Sequence, residues 1–308
     1  TGTRSNRSMF ENSIKQFKKT PVGKLLRKRW DEYLADAFLL SFPKCGRTWL
    51  RIMMGRVFQE HFQLDAPHME RKLLQLHKLY RLHPDVPRVY VDHDDWPHWK
   101  KPSELEQSKK QYRGDSVIYL VRDPRDVIVS FYFEQSKRVT PELAKSIREG
   151  HLELRRYQDR VKPYEGTISE FIREEAGSFK TLIEYYNVWE RNKDMPRKFL
   201  RLRYEDMRPN AEETLREVMD FLELQDVKDE VIRETVEFAK FENMRKMEEQ
   251  NAFGSGRVAP TDKSDQESYK TRKGKVGGFR EYLEDDDLEF VNAYMREHLS
   301  PAYGYSVD

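Results

Sequence analysis

The chain has 308 residues, 37% hydrophobic and 36% charged, with 56 basic and 54 acidic side chains for a net charge of +2. That length supports one large α/β domain with a sizeable core, read as a single domain over 1–308, and the near balance of charge argues against a general nucleic-acid binder. Its longest apolar stretches are strand-sized, with no run of 18 or more apolar residues and no signal-peptide pattern, and its one cysteine, Cys45, excludes an intramolecular disulfide, so the expectation is a cytoplasmic protein in a reducing compartment.

Residues 1–9 carry nothing to bury and are expected to be disordered. Residues 10–34 read as helical, with Phe10, Ile14, Phe17, Leu25 and Leu26 as apolar positions and a break at Pro21. Lys15, Lys18, Lys19, Lys24, Arg27, Lys28 and Arg29 give this part a local positive field. It reads as a solvated helix face, or, more sharply, as a peripheral contact for an anionic membrane or acceptor.

Ala37 to Phe42 is a continuous apolar run stopped by Pro43 and Gly46, which predicts a strand buried on both faces of a parallel sheet. From Thr48 the apolar positions Leu50, Met53, Met54, Val57 and Phe58 recur at helical spacing. Arg88 to Val91 alternates as a strand. Ser116 to Val121 is a further buried strand, followed by a turn over 122–126 and a helix beginning near Val127. Lys198 to Tyr204 and the helix from Ala211 to Leu222 repeat the pattern. Strand, turn and helix in succession predict an α/β fold, a central parallel sheet flanked by helices. Ligands of such folds bind at the carboxyl ends of the strands, where these turns should converge. Asn251 to Gly278 shows no period, and residues 245–278 are expected to form a mobile lid over nucleotide and acceptor.

Pro43 to Trp49 joins a buried strand to a helix N-terminus. Unpaired N–H groups, the close backbone approach at Gly46, the charge of Lys44 and the hydroxyl of Thr48 describe a P-loop-like phosphate cradle. The order differs from G-x-x-x-x-G-K-[ST], because Lys44 precedes the glycine by two residues and no earlier glycine exists. An ATP-using kinase, with Asp126 or Asp206 on magnesium, is therefore the weaker enzyme reading. A non-catalytic nucleotide-binding protein is a third.

The string F-P-K-C-G-R-T-W resembles the Y-P-K-S-G-T-T-W loop of sulfotransferases that use 3′-phosphoadenosine 5′-phosphosulfate (PAPS). Y-L-V-R-D-P-R-D-V-I-V-S-F-Y resembles their 3′-phosphate site, and T-R-K-G-K-V-G-G-F their C-terminal R-K-G-x-x-G-D-W segment. The resemblance spans about residues 37 to 283. It implies PAPS as co-substrate, transfer without a metal, and a hydroxyl acceptor that is a small molecule, a sugar or a carrier-bound group.

Carried over residue by residue, the resemblance places Lys44, Cys45, Gly46, Arg47, Thr48 and Trp49 on the nucleotide, Trp49 by stacking on adenine. Arg122 and Ser130 would hold the 3′-phosphate, with Arg272, Lys273 and Gly274 closing over it. Tyr204, Phe241 and Met244 match adenine contacts. Lys44 would neutralise the leaving phosphate and His93, at a strand end, would act as general base, with His98 as second choice. A metal reading of Asp92, His93, Asp94, Asp95 and His98 mixes hard and borderline ligands without a helical His pair.

Four departures from the family pattern stand out. Cys45 and Arg47 replace small hydroxyl residues, and Arg47 is expected either to add a phosphate contact or to crowd the site. Asp92 precedes His93, where it could hold the imidazolium if the ring reaches back. Gly278 and Phe279 stand where Asp-Trp is common. Arg280 to Glu289 lacks the Thr-Val centre of the family's dimerisation segment, and the oligomeric state stays open.

Overall fold

The computed structural model describes Phe17, residues 20–256 and residues 258–307. The stretch 1–9, together with Phe10, Ile14, Lys15, Lys18 and Lys19, lies outside those residues.

Helix α1 spans Pro21–Tyr33, with Pro21 in its first turn and the Thr20 hydroxyl accepting from the Gly23 N–H at 3.1 Å. Proline therefore starts this helix rather than interrupting it, since its missing N–H costs nothing there. Lys24, Arg27 and Arg29 are exposed. Lys28 turns inward instead, 3.3 Å from Asp92 and 3.5 Å from Glu153.

Four strands form one parallel sheet: β1 (Ala37–Leu40), β2 (Val89–Asp92), β3 (Ser116–Val121) and β4 (Lys198–Arg203), in the order β2-β1-β3-β4. The central strands β1 and β3 are buried at every position, which is why they read as unbroken apolar runs. The edge strand β4 mixes Lys198, Arg201 and Arg203 with apolar residues and keeps most positions half-buried. Ser41 and Phe42, expected within the first strand, are buried but already belong to the following loop.

Helices flank the sheet: α2 (Arg47–His61), α3 (Pro124–Phe133), α4 (Pro141–Gly150), α5 (Phe179–Arg191), α6 (Ala211–Phe221), α7 (Phe241–Glu249) and α8 (Asp285–His298), with further helices, among them Asp229–Phe238, between them. Met53, Val57 and Phe58 of α2 and Val127, Ile128 and Phe131 of α3 are buried. Because all four strands run the same way, Ser41, His93, Arg122 and Tyr204 leave the sheet along a single edge. No helix among the described residues is long and apolar enough to cross a membrane.

Candidate active site

The loop after β1 is shaped by two left-handed residues, Lys44 (φ 74°) and Gly46 (φ 95°). A side chain at 46 would put its Cβ 2.5 Å from the Tyr204 ring, so only glycine fits. The first intrahelical bond of α2 runs from Trp49 N–H to Gly46 O at 2.9 Å. The N–H groups of Arg47 and Thr48 thus belong to the unpaired helix start, the place where an anion is received. Cys45 points the other way, into the core, with Sγ 3.4 Å from Tyr186 Oη. Burial pushes its thiol up to about 12. Tyr186 Oη also accepts from Arg122 N–H at 3.0 Å and donates to Arg122 O at 2.8 Å. One phenol therefore ties the phosphate loop to the end of β3.

Arg122 is buried, with Tyr204 beneath it at 4.5 Å, Asp126 at 3.4 Å and its Nη2 donating to Lys275 O at 2.9 Å. Its Nε is buried with no partner among the described residues, a donor suited to an anion. Ser130, one turn before the end of α3, accepts from Arg272 Nη2 at 3.3 Å. Arg272 lies 5.0 Å from both the Phe133 and Tyr282 rings, and Glu267 takes its Nη1 at 3.1 Å. Gly274 (φ 55°) meets the Phe241 ring so closely that an added Cβ would lie 2.7 Å away. Lys273 lines the rim, its ammonium 2.6 Å from Glu281. Asp126 fastens the end of a strap formed by residues 270–279 by accepting from Gly277 N–H at 2.8 Å and Phe279 N–H at 3.0 Å. Trp49 stands edge-on to Tyr204 with centroids 6.1 Å apart and donates to Ala239 O at 2.9 Å; it lines the same cavity as Phe241 and Met244.

Lys44 Nζ lies 2.8 Å from Glu134 Oε2. Lys270 Nζ at 3.2 Å and Arg138 Nε at 3.2 Å reach the same oxygen. Burial alone would raise the Glu134 carboxyl, but Lys270, Lys44 and Arg138 together hold it well below the usual carboxylate range. Burial lowers Lys44 to about 7, with Lys270 and Arg138 adding to the fall and Glu134 opposing it. Glu248 of α7 completes the group, accepting from Thr271 N–H at 2.9 Å and its hydroxyl at 2.8 Å. Sequence reading assigns no role to Glu134, Arg138, Glu248 or Lys270. The segment Glu134–Arg138 is a π-helical turn, and Glu134 and Arg138, four residues apart on it, are joined by an ion pair. The one available signal is an acidic residue closing the aromatic run Phe131-Tyr132-Phe133, four residues before an arginine.

His93 follows the last residue of β2. Its Nδ1 lies 3.0 Å from Ser41 O. A carbonyl only accepts, so Nδ1 carries the proton and Nε2 presents a lone pair. Arg47 Nη2 is 2.7 Å from Nε2, and Arg47 Nη1 donates to Asp92 O. Burial, then Arg47 and His98, hold the imidazole well below the usual histidine value. Two expectations are corrected here. Arg47 is directed at His93 rather than turned as a side chain toward the phosphate loop. Asp92 does not hold the ring: its Oδ1 accepts from the backbone N–H of His93 at 2.8 Å, and its Oδ2 is 3.3 Å from Lys28.

After His93 the chain runs through three consecutive left-handed residues, Asp94, Asp95 and Trp96 (φ 51°, 62° and 53°). Such non-glycine conformations cost about 1–3 kcal/mol each and are held by ion pairs and hydrogen bonds. Asp94 meets Lys109 at 2.7 Å and Tyr112 at 2.9 Å, and Asp95 meets Lys100 and the Glu106 N–H. The turn folds His98 back to within 5.2 Å of His93, ring to ring. It also pairs Asp94 with Lys109 and Asp95 with Lys100. No cluster of three metal-binding side chains occurs among the described residues.

One cavity of about 690 Å³ is bounded by the phosphate loop, the end of β3, the 270–275 segment, the Glu134 group and His93. Lys44, Arg122, Ser130 and Arg272 stand on it with Trp49 and Phe241. His93 opens on it together with Trp96, His98, Leu143, Ile147 and His151.

A model of the sulfotransferase domain matches residues 34–302. Cytosolic sulfotransferase 12 of Arabidopsis thaliana is 24% identical over 289 residues, covering 89% of this chain and 80% of the relative. Flavonol 3-sulfotransferase of Flaveria bidentis is 24% identical over 283 residues, covering 86% and 81%. A mouse sulfotransferase solved with PAP aligns with a TM-score of 0.53 at 21% identity, over 86% of this chain and 84% of that one, which shows a shared fold. With its strand-loop-helix cradle and the domain match over most of its length, this chain belongs to the sulfotransferase family, the transferases that draw on PAPS.

Proposed function

We propose that the protein moves the sulfuryl group of PAPS to the hydroxyl of a small organic acceptor by in-line displacement at sulfur, in the cytoplasm. The observation that carries this reading is that one cavity has anion donors at one part of its wall and His93, whose Nε2 is met by Arg47, at another. Arg122, Ser130 and Arg272 would hold the 3′-phosphate and Lys44 the 5′-phosphosulfate, with adenine against Trp49 and Phe241. His93 takes the acceptor proton and the Lys44 ammonium stabilises the departing phosphate. The mixed aromatic and aliphatic wall of Trp96, Leu143 and Ile147 suits a ring-bearing small molecule, as does the flavonol named for the Flaveria relative. Residues 245–278 serve as the lid.

A kinase would need a carboxylate free for magnesium beside the phosphates, but both oxygens of Asp126 are engaged by backbone N–H groups. The test is His93→Ala, with labelled PAPS for transfer and calorimetry for adenosine 3′,5′-bisphosphate (PAP). Loss of turnover by about 10³-fold with PAP binding kept is expected. Near-full activity of that variant would remove His93 as the base, and failure of the wild type to bind PAP would remove the whole reading.

A further inference from the structure

The contact between Arg47 and His93 is not explained by phosphate binding. Arg47 is the first residue of α2, so its backbone faces the phosphate cradle while its side chain runs back along the sheet edge. It is fixed at two points, the Asp92 carbonyl and His93 Nε2. On the far side of the ring the Ser41 carbonyl fixes Nδ1, and Tyr185 Oη donates to the His93 carbonyl at 2.7 Å. The imidazole is therefore clamped by both nitrogens, with its basic atom shared with a cation.

The groups facing His93 come from several elements, and those with charge are cationic or can become so. Arg47 of α2, His98 of the turn after β2 and Lys270 of the strap all disfavour its protonation. The carboxylates nearby are turned elsewhere, Asp92 to Lys28 and Glu134 to Lys44, Lys270 and Arg138. A base in this setting is a poor match for an aliphatic alcohol, whose proton it would have to take while giving up the Arg47 bond and gaining charge beside it. An oxygen that is already anionic, or becomes so easily, meets the opposite situation. The guanidinium can donate to it, and no full proton transfer to His93 is required.

We propose that Arg47 is a positioning and specificity residue: it holds His93 neutral with Nε2 toward the cavity, offers a donor to the acceptor oxygen, and so restricts the enzyme to acceptors with readily ionised hydroxyls, of the phenol class. The proposal rests on the sulfuryl-transfer reading. In the balanced step, the acceptor O–H bond breaks as the S–O bond to the acceptor forms and the bond between sulfur and the bridging oxygen breaks. The proton goes to His93 or, for an acceptor that enters as an anion, has already left to solvent. PAP carries away the electron pair.

The test compares wild type, Arg47→Lys and Arg47→Thr with PAPS and a graded acceptor set, nitrophenols through alkylphenols to a primary alcohol. Wild type should prefer nitrophenols to the alcohol by about 100-fold in kcat/KM or more. Arg47→Thr should lose about 10-fold or more on nitrophenols and gain on the alcohol, so that the acceptor ratio narrows, with Arg47→Lys between. The acidic limb of the kcat/KM profile should move up toward the ordinary histidine value of about 6.5 in Arg47→Thr. Nitrogen NMR of His93 in the full chain reads the same shift without turnover, and circular dichroism establishes that each variant is folded. An acidic limb and an acceptor ratio both unchanged in Arg47→Thr overturn the proposal. So does a wild-type preference for the alcohol, or transfer to none of these acceptors while PAP binds, which leaves the nucleotide reading standing. Absence of PAP binding overturns both.

Discussion

Lys44 and Glu134 are ninety positions apart in the chain and 2.8 Å apart in space, and their ion pair joins the phosphate loop to the π-helical turn after α3. Glu134 also receives Lys270 and Arg138, so one carboxylate gathers three cations that would otherwise repel one another in a half-enclosed cavity. This arrangement keeps a strong positive field folded in place.

Glu134→Gln should separate stability from affinity. Removing the charge takes the shared counter-charge from Lys44 and Lys270 and leaves Arg138 with Glu248 at 3.7 Å, and loss of one partner from a buried ion group costs about 3 kcal/mol. Nucleotide binding should move the other way, because the cations no longer share their charge with a carboxylate. The expected result is a lower denaturation midpoint together with PAP affinity raised severalfold, by calorimetry at a temperature where the variant is folded. A variant of unchanged stability would show that Glu134 is not the organiser of the group.

Nucleotide affinity should also fall as pH rises through about 7, the value to which burial brings Lys44. The Lys44 amine loses its proton above that point, and a bound phosphate favours the ammonium. Binding should therefore take up a proton, and affinity should drop by up to tenfold per pH unit until the raised value in the complex is reached. For the free protein the sign is opposite. The unfolded lysine stays protonated to about 10.4, so between about 7 and that value the unfolded state binds more protons and this group's contribution makes the fold more stable as pH rises. Lys44→Arg keeps its charge and should abolish the affinity slope. Calorimetry in two buffers of different ionisation enthalpy measures the proton uptake directly.

The sheet and the convergence of its turns were legible because they follow from local rules. Ala37 to Leu40 and Ser116 to Val121 have no polar alternation, and parallel strands bring Pro43, His93 and Arg122 to one edge. Side-chain direction was not legible. Arg47 looked like a phosphate ligand because its backbone sits in the cradle, and Asp92 looked like a partner for His93 because it is adjacent in sequence. Both were redirected by groups far away in the chain, Arg47 by the His93 ring and Asp92 by Lys28 of α1. Glu134, Arg138, Glu248 and Lys270 were hidden for a related reason. A charged residue on a helix usually faces water, and nothing local announces the π-helical turn on which two of these four are paired. Tyr186, which joins Cys45 to Arg122, reads as an ordinary core aromatic until its hydroxyl is placed.

The strap over 270–279 offers the last test. Its far end hangs on Asp126, whose two oxygens accept from Gly277 and Phe279 while one of them lies 3.4 Å from Arg122. In Asp126→Asn the amide nitrogen must face one of those N–H groups, donor against donor, and Arg122 loses its counter-charge. An unmet buried donor costs about 1–3 kcal/mol. The segment carrying Arg272, Lys273 and Gly274 should therefore loosen, weakening PAP by about tenfold, or about 1.4 kcal/mol. Trypsin should cleave at Lys270, Arg272, Lys273 or Lys275 faster in the variant than in wild type, and PAP should slow that cleavage in both. Equal cleavage rates with weakened PAP would assign the effect to Arg122 alone, since the strap would then be held without Asp126.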